Sequence, residues 1–156
     1  MSEPEDREYT PEMVGRMSQM IRDFVPHNKA IGIEVLRIRV GEVWTKIEWD
    51  PKLVGNPATG VLHGGVVSTM MDASCGLAIM SRIGRPSGIA TLDLRIDYLR
   101  GATPHAPILA RTTCLKVTRH VCFARGVAYQ PEDPTLIEDE RDPIAYVTAT
   151  FARKSS

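Results

Sequence analysis

Residues 62–82 read LHGGVVSTMMDASCGLAIMSR, and the whole architecture can be inferred from how this apolar segment must be covered. Apolar side chains occupy nearly every side of a helix drawn over positions 66–82, so we predict a helix that is buried all round. Gly84 and Pro86 should end it, because glycine readily adopts the left-handed conformation after a helix and proline cannot continue one. Such a helix needs a sheet that curves around it.

Alternating runs of β-branched and aromatic residues flank this helix. Before it, positions 31–49 are broken at Gly41 and Glu42, which predicts a hairpin of two strands. After it come four alternating runs, at positions 89–99, 108–117, 121–129 and 144–151. Strands in this order can curl around one helix and place one face of each strand on it. We therefore predict an α+β hot-dog fold, in which a curved antiparallel sheet wraps around a central buried helix.

The chain before the core begins with a polar leader at positions 1–9. An extra N-terminal helix should follow over positions 10–25, with Thr10 as its cap and Pro26 after its end. Its apolar stripe, which includes Met20 and Phe24, is expected to pack against the core rather than to form a binding groove.

The length of the chain fits one domain of ordinary size. We assign residues 10–156 to a single hot-dog domain with its core at 31–153. Two segments look irregular, because proline, glycine and charged residues interrupt them: the loop at 50–60 and the connection at 131–143.

Charge and composition argue against several classes of protein. The 19 basic residues balance the 19 acidic ones, so no overall field would draw the chain to nucleic acid or to an anionic membrane. The acidic start lacks the apolar segment of a secretory signal, and the most apolar stretch, at 61–80, is too polar to span a bilayer, so we expect a cytoplasmic protein. The 3 cysteines and 4 histidines show no disulfide or metal-ligand spacing.

Asp72 is the only charged side chain between His63 and Arg82. A carboxylate inside a buried helix is costly, so it is kept where it is paired, hydrogen-bonded or functional. Asp72 could merely bond to a neighbouring backbone at a water-filled subunit interface, or it could carry chemistry. Taken alone, the residue leaves both interpretations open.

Two glycines, Gly64 and Gly65, stand at the N-terminus of the same helix, where backbone N–H groups lack a partner within the helix. Glycine has no β-carbon, so the carbonyl oxygen of a ligand can approach these amides closely. Negative charge that develops there meets the positive end of the helix dipole, as in an oxyanion hole.

The carboxylate and these amides are far apart within one chain. Seven residues separate Gly65 from Asp72, which is about 10 Å along the helix axis. A two-fold dimer with antiparallel helices would bring Asp72 of one chain near the glycines of the other.

The motif that runs from Asn56 through Gly60-Val61-Leu62-His63-Gly64-Gly65 to Asp72 resembles that of the PaaI-like hot-dog thioesterases. That family shows an asparagine, then GxxHGG, then an aspartate nine residues after the histidine, and Asp72 stands at that distance from His63. The asparagine differs, since Asn56 lies seven residues before His63 and Pro57 occupies the family position. The strand at 91–99 is similar to the third strand of the family, and the resemblance covers about residues 31–153.

The resemblance implies an acyl-coenzyme A thioesterase that assembles as a homodimer, further paired into a homotetramer, and needs no cofactor because coenzyme A is part of the substrate. The amide of Gly64 or Gly65 would polarise the thioester carbonyl, and Asp72 would act as the nucleophile or as the base that activates water. His63 and Asn56 would position the thioester and the water.

Thr91 would hold Asp72 or that water by the same resemblance. The apolar alternation of Ala90, Leu92, Leu94 and Ile96 sends Thr91 to the opposite face of its strand. A β-bulge or the curl of the strand end could turn it inward.

Lys116, Arg119 and His120 lie at a turn between two predicted strands and could bind the phosphates of coenzyme A. A solvated hairpin tip is the alternative. Two other functions also stay open: a hot-dog hydratase or dehydratase with His63 as its base, and a non-catalytic acyl-CoA sensor, against which Asp72 argues.

Overall fold

The computed structural model describes residues 7–85 and 87–154. Its helices are α1 (Pro11–Phe24), α2 (Pro26–Ile31) and α3 (Gly64–Ile83). Its strands are β1 (Glu34–Arg39), β2 (Glu42–Ile47), β3 (Val54–Asn56), β4 (Val61–Leu62), β5 (Ile89–Tyr98), β6 (Ile108–Val117), β7 (Val121–Tyr129) and β8 (Pro143–Arg153), with a 3-10 turn at Pro51–Leu53. None of the helices in the described ranges is long and apolar enough to cross a membrane.

The long strands form one antiparallel sheet in the order β1-β2-β6-β7-β8-β5. Helix α3 packs mainly against β2, β6 and β7 and also contacts β5 and β8. The predicted α+β hot-dog fold, with a curved antiparallel sheet around a long helix, is therefore confirmed. Strands β3 and β4 form a small separate hairpin immediately before α3.

Helix α3 has well-defined ends. His63 caps its N-terminus, and Gly84 ends it in the left-handed conformation with φ 70°, donating its N–H to the Met80 carbonyl at 3.0 Å. Pro86, the second predicted stop, lies outside the described residues.

Buried hydroxyl groups fasten α3 to the sheet. Thr45 Oγ1 on β2 lies 2.7 Å from Ser74 Oγ, and Thr112 Oγ1 on β6 donates to the Ser74 carbonyl at 2.9 Å. All three residues are fully buried, so each of these polar contacts is costly to lose. They fix the rotation of α3 about its own axis, and hence which side of the helix faces away from the sheet.

The prediction that α3 is buried on all sides is wrong for the described chain. Ser68, Thr69, Asp72 and Ala73 are only half-buried and form an open stripe, whereas Met70 is completely buried on the side of the sheet. The reason is that the sheet ends at β5, so no strand covers this part of the helix circumference.

The segments around the core differ from expectation in two places. The loop at 50–60 contains β3, which pairs with β4 across a turn that the positive φ of Gly60 permits. Pro26 follows α1 as predicted but also begins α2, because the first position of a helix does not need an N–H group. The connection at 131–142 is irregular, as predicted, and is held to the outer face of the sheet by Arg37–Glu138 and Arg111–Glu140 ion pairs.

The end of the predicted leader extends the sheet. Tyr9 donates its N–H to the Ile38 carbonyl at 2.9 Å, and Val40 donates to the Arg7 carbonyl at 3.0 Å. Residues 1–6 lie outside the described residues. Thr10 caps α1, since its side chain accepts a hydrogen bond from the Met13 N–H, as predicted.

Close packing at Gly126 on β7 gives a test of this core. A Cβ there would approach the Thr112 side chain to 2.6 Å and the Arg111 carbonyl oxygen to 2.7 Å. We expect Gly126→Ala to lower the free energy of unfolding by about 1–3 kcal/mol, because the core becomes overpacked. Thermal denaturation should show a midpoint lower by roughly 2–4 °C per kcal/mol.

The matched control is Gly15→Ala on α1, where an added Cβ meets no described atom within 4 Å. Alanine has the higher helix propensity, so this variant should melt at or above the wild-type temperature. An unchanged midpoint for Gly126→Ala would contradict the packing of β7 against β6.

Candidate active site

Asp72 on the open stripe of α3 is joined to Thr91 on β5. Thr91 Oγ1 donates a hydrogen bond to Asp72 Oδ1 at 2.7 Å. This short bond to a carboxylate fixes the side chain in one orientation. No second described donor bonds to Asp72, which leaves Oδ2 available to a ligand or to water.

A β-bulge explains why Thr91 faces inward. The register between β5 and β8 shifts between Thr91 and Asp93, so one extra residue is inserted there. Thr91 and Leu94 consequently pair with Phe151 and Ala149, which lie on the same face of β8. Because an inserted residue reverses the face of everything before it, the bulge overrides the apolar alternation read from the sequence.

The side chain of His63 caps the N-terminus of α3, which precedes the open stripe along the helix. His63 Nδ1 accepts a hydrogen bond from the Gly65 N–H at 2.9 Å. In the neutral imidazole the ring proton therefore sits on Nε2. The Gly65 amide is already taken by this cap, whereas the Gly64 N–H meets no acceptor among the described residues. Of the two glycines, Gly64 is the one whose amide can serve a ligand.

Two further residues shape this N-terminus, and sequence reasoning missed both. Tyr98 at the end of β5 donates its hydroxyl to the Gly64 carbonyl at 2.7 Å and lies 2.8 Å from Ser68 Oγ. Gly55 on β3 packs so closely that a Cβ there would lie 2.7 Å from His63 Cα. The signal for Tyr98 was its place on the strand of Thr91. For Gly55 the sequence gives no signal, because the contact depends on the β3–β4 hairpin.

Asn56 is the last residue of β3 and is exposed at the turn that follows. Its Oδ1 accepts a hydrogen bond from the Ala58 N–H at 3.0 Å, and its carbonyl accepts from Thr59 and Gly60. Asn56 is not among the residues that line the cleft around Asp72. Within one chain the side-chain oxygen is thus engaged in the turn, and its NH₂ group is the part left for a ligand.

A cleft of about 760 Å³ separates α1 and α2 from α3 and the start of β5. Asp72 and Thr91 line it, and most of its other walls are apolar. Met20 and Phe24 line it too, and both are exposed, so the expectation that the α1 stripe serves only packing is wrong for these two residues.

A second cleft of about 470 Å³ contains His63 and Gly65. His27 and Thr69 line both clefts, and His27 Nε2 lies 3.2 Å from Thr69 Oγ1. Asp72 and the helix N-terminus of one chain therefore face different clefts.

The three basic residues at the β6–β7 turn lie away from both clefts. Lys116, Arg119 and His120 are exposed, and none of them lines the cleft of Asp72 or that of His63. His120 accepts a backbone hydrogen bond from Arg153, which pairs with Ile89 at the start of β5. The turn thus lies at the end of the sheet where β5 begins.

The three cysteines are buried free thiols and offer no nucleophile, and burial raises the pKa of Cys122 as it does those of the other two. Burial, aided by the negative charge of Asp72, raises the pKa of Cys75 to about 12, and burial raises the pKa of Cys114 to about 11. Both thiols therefore stay protonated at neutral pH. Among the described residues, no three His, Cys, Asp or Glu side chains come together as metal ligands.

Known proteins match this chain in sequence and in structure. The model of the thioesterase superfamily matches residues 59–137. The medium/long-chain acyl-CoA thioesterase YigI of Escherichia coli (strain K12) is 29% identical over 148 residues, which cover 86% of this chain and 90% of that protein. A crystal structure of a Pseudomonas aeruginosa protein is 32% identical with a TM-score of 0.75, over 90% of this chain and 99% of the other.

The PaaI protein from the phenylacetic acid degradation operon of E. coli has the same fold, with a TM-score of 0.74 at 13% identity, over 94% of this chain and 98% of that one. The curved sheet, the central helix and the matches to known proteins together define the class of this chain as a PaaI-like hot-dog thioesterase. The chain belongs to the thioesterase superfamily.

The His63 cap can be tested with two neighbouring variants. A Cβ on Gly65 would lie 2.8 Å from His63 Nδ1, whereas one on Gly64 would lie 3.5 Å from the Tyr98 hydroxyl, an ordinary contact. We expect Gly65→Ala to displace the imidazole and change the ¹⁵N chemical shifts of the His63 ring, and Gly64→Ala to leave them near the wild-type values. Equal spectra in both variants would exclude the cap.

Proposed function

We propose that the protein hydrolyses acyl-coenzyme A thioesters to a free acid and coenzyme A, acting in the cytoplasm. The observation that carries this proposal is the Thr91–Asp72 pair at the wall of an apolar cleft, in a member of the thioesterase superfamily. The acyl-CoA substrate is suggested by the name of the relative YigI.

Each site is completed by a second copy of the chain. Asp72 and the Gly64 amide are about 12 Å apart along the axis of α3, too far to act on one carbonyl group. The edge of the molecule beside them is open, because β5 is an edge strand whose Leu92 and Tyr98 are 60% and 48% exposed. A two-fold axis beside this edge sets the two α3 helices antiparallel and brings Asp72 to the other chain's helix N-terminus. Pairing of such dimers gives the tetramer expected from the family.

The reaction follows from the chemistry of these groups. The thioester carbonyl oxygen accepts a hydrogen bond from the Gly64 N–H, so the charge that develops on it is stabilised at the positive end of α3. Asp72 attacks the carbonyl carbon, or it takes a proton from a water molecule that attacks instead. The bond between carbon and sulfur then breaks, and coenzyme A leaves as its thiol or thiolate. When Asp72 is the nucleophile, this step leaves an acyl–Asp72 anhydride, which a water molecule hydrolyses to release the free acid and restore the carboxylate.

The remaining residues orient these reactants. Thr91 holds the Asp72 carboxylate, His63 donates from Nε2–H towards the thioester, and Asn56 contributes its NH₂ group to the attacking water. Lys116, Arg119 and His120 bind the phosphates of coenzyme A. No cofactor takes part.

The carboxylate can be removed without a change of shape. We expect Asp72→Asn to lower kcat by at least about a hundredfold, because an amide is neither a nucleophile nor a base. Release of free thiol from a panel of acyl-CoA esters measures this rate. The control is Asp93→Asn, because Asp93 is an exposed carboxylate on β5, two residues after Thr91. This variant should keep wild-type turnover.

Near-normal thiol release by a folded Asp72→Asn variant would contradict the mechanism. If the wild type adds or removes water on the acyl chain and releases no thiol, the protein is a hydratase or dehydratase. If it binds acyl-CoA and leaves it unchanged, it is a sensor.

Shared sites can be tested by mixing two inactive variants, Asp72→Ala and Gly64→Pro. Proline removes the Gly64 N–H, and it suits this first helical position because His63 before it is extended. In a mixed dimer one site carries both lesions and the other carries neither, so random pairing should restore about a quarter of wild-type activity. Continued inactivity of mixed dimers, identified by native mass spectrometry, would contradict the shared site.

A further inference from the structure

One wall of the Asp72 cleft comes from α1 and its junction with α2, which lie outside the residues that match the thioesterase superfamily model. Phe24, Val25 and Met20 on this wall are 81%, 43% and 38% exposed. Large apolar side chains grouped at the rim of a cleft are a typical sign of a binding surface, since each exposes apolar area to water.

The opposite wall is α3 from Asp72 onwards. Ala73, Gly76, Leu77 and Met80 follow Asp72 along the cleft. Asp72 is the only carboxylate among the described residues that line it. The side chains that line the cleft are therefore polar at Asp72 and Thr91 and apolar beyond them along α3.

Gly76 is the residue of the α3 wall that contributes no side chain to the cleft. A Cβ there would lie 3.5 Å from Ile89 Cδ1 and 3.8 Å from Phe151 Cε1, which are ordinary contacts. A methyl group would thus touch both side chains, so the position has room for an alanine side chain and for little more. Its position, one turn after Asp72, places that room next to the carboxylate.

We propose that this cleft holds the acyl chain of the substrate, with the carbonyl at Asp72 and the tail running along α3 towards Met80, and that Met20 and Phe24 set the preferred chain length. The inference rests on the proposed thioesterase function. It assigns chain-length selection to the N-terminal helix, which the family model does not cover.

The length of the cleft also limits how much of an acyl chain it can hold. From Asp72 to Met80 is eight residues, which is about 12 Å of helix. An extended chain advances about 1.2 Å per bond, as an extended backbone advances about 3.6 Å per three bonds. The wall therefore accommodates about ten carbons, and longer tails emerge into solvent beyond Met80.

The test uses butyl, decyl and tetradecyl thioethers of coenzyme A, which bind but cannot be hydrolysed, in isothermal titration calorimetry. Each buried methylene should tighten binding by up to about fourfold, so affinity should rise strongly from butyl to decyl and little from decyl to tetradecyl. Phe24→Ala should weaken decyl binding by about tenfold and butyl binding by less than about twofold, because the longer chain buries more apolar area against the α1 wall of the cleft. Phe24 is so exposed that its truncation should not affect folding.

Met13→Ala is the matched control, because Met13 is an exposed methionine of the same helix that does not line the cleft. It should bind all three analogues like the wild type. A second variant, Gly76→Ala, adds a methyl group that fits against Ile89 and Phe151. It should keep butyl binding and reduce the gain from butyl to decyl, since it narrows the cleft about five carbons from the carbonyl.

The assignment is overturned if Phe24→Ala weakens all three analogues equally or none of them. It is also overturned if light scattering shows that Phe24→Ala changes the oligomeric state while the dependence on chain length persists, because the apolar rim then covers a second copy of the chain. Binding and hydrolysis are measured separately. A wild type that binds by chain length but releases no thiol from acyl-CoA esters would contradict the proposed function and leave the acyl cleft standing.

Discussion

Helix α3 is held to the sheet by the buried contacts of Ser74 with Thr45 and Thr112, and the rest of the site depends on that attachment. These hydroxyl groups are shielded from water, so a rotation of the helix would leave them without partners at a cost of about 1–3 kcal/mol each. Six strands cover only part of the helix, and the fixed rotation decides which part stays open. The open stripe carries Asp72, and Gly64 lies before it at the start of the helix. The same geometry that stabilises the core thus leaves the carboxylate and the Gly64 amide uncovered by the sheet.

Periodicity in the sequence was sufficient for α1, α3 and the order of the long strands, because each lies in a segment with one dominant pattern. It did not predict the short helix α2, whose start at Pro26 was interpreted only as the end of α1. It failed for the face of Thr91. Alternation assigns faces correctly only while each residue of a strand opposes one residue of its partner, and the bulge before Asp93 breaks that rule. The cause lies in the pairing of β5 with β8, which no local pattern in β5 reports. The burial of α3 failed for a related reason, since composition shows how apolar a helix is but not how far the sheet extends around it.

The helix N-terminus shows a further limit of sequence reasoning. The motif located His63, Gly64 and Gly65 but made the two glycines equivalent, whereas the imidazole occupies the amide of Gly65 and leaves that of Gly64. Side-chain caps of this kind depend on the rotamer of one residue, and on neighbours from other elements: Gly55 packs against the backbone of His63, and Tyr98 donates a hydrogen bond to the Gly64 carbonyl. The carboxylate was easier to find, because a single charge in an apolar helix is conspicuous in any sequence.

The proposed reacting groups and the proposed chain-length wall lie in different segments of this chain. Gly64, Asp72 and Thr91 lie within the residues that match the superfamily, on elements whose positions the sheet enforces. The facing wall, with Met20 and Phe24, lies on an N-terminal helix outside that match. A change in α1 can therefore alter the shape of the cleft without moving the carboxylate or the amide, because α3 is anchored from the other side. Under the proposed mechanism, this separation would let one set of reacting groups serve acyl chains of different length, since only the wall that contacts the tail would have to change.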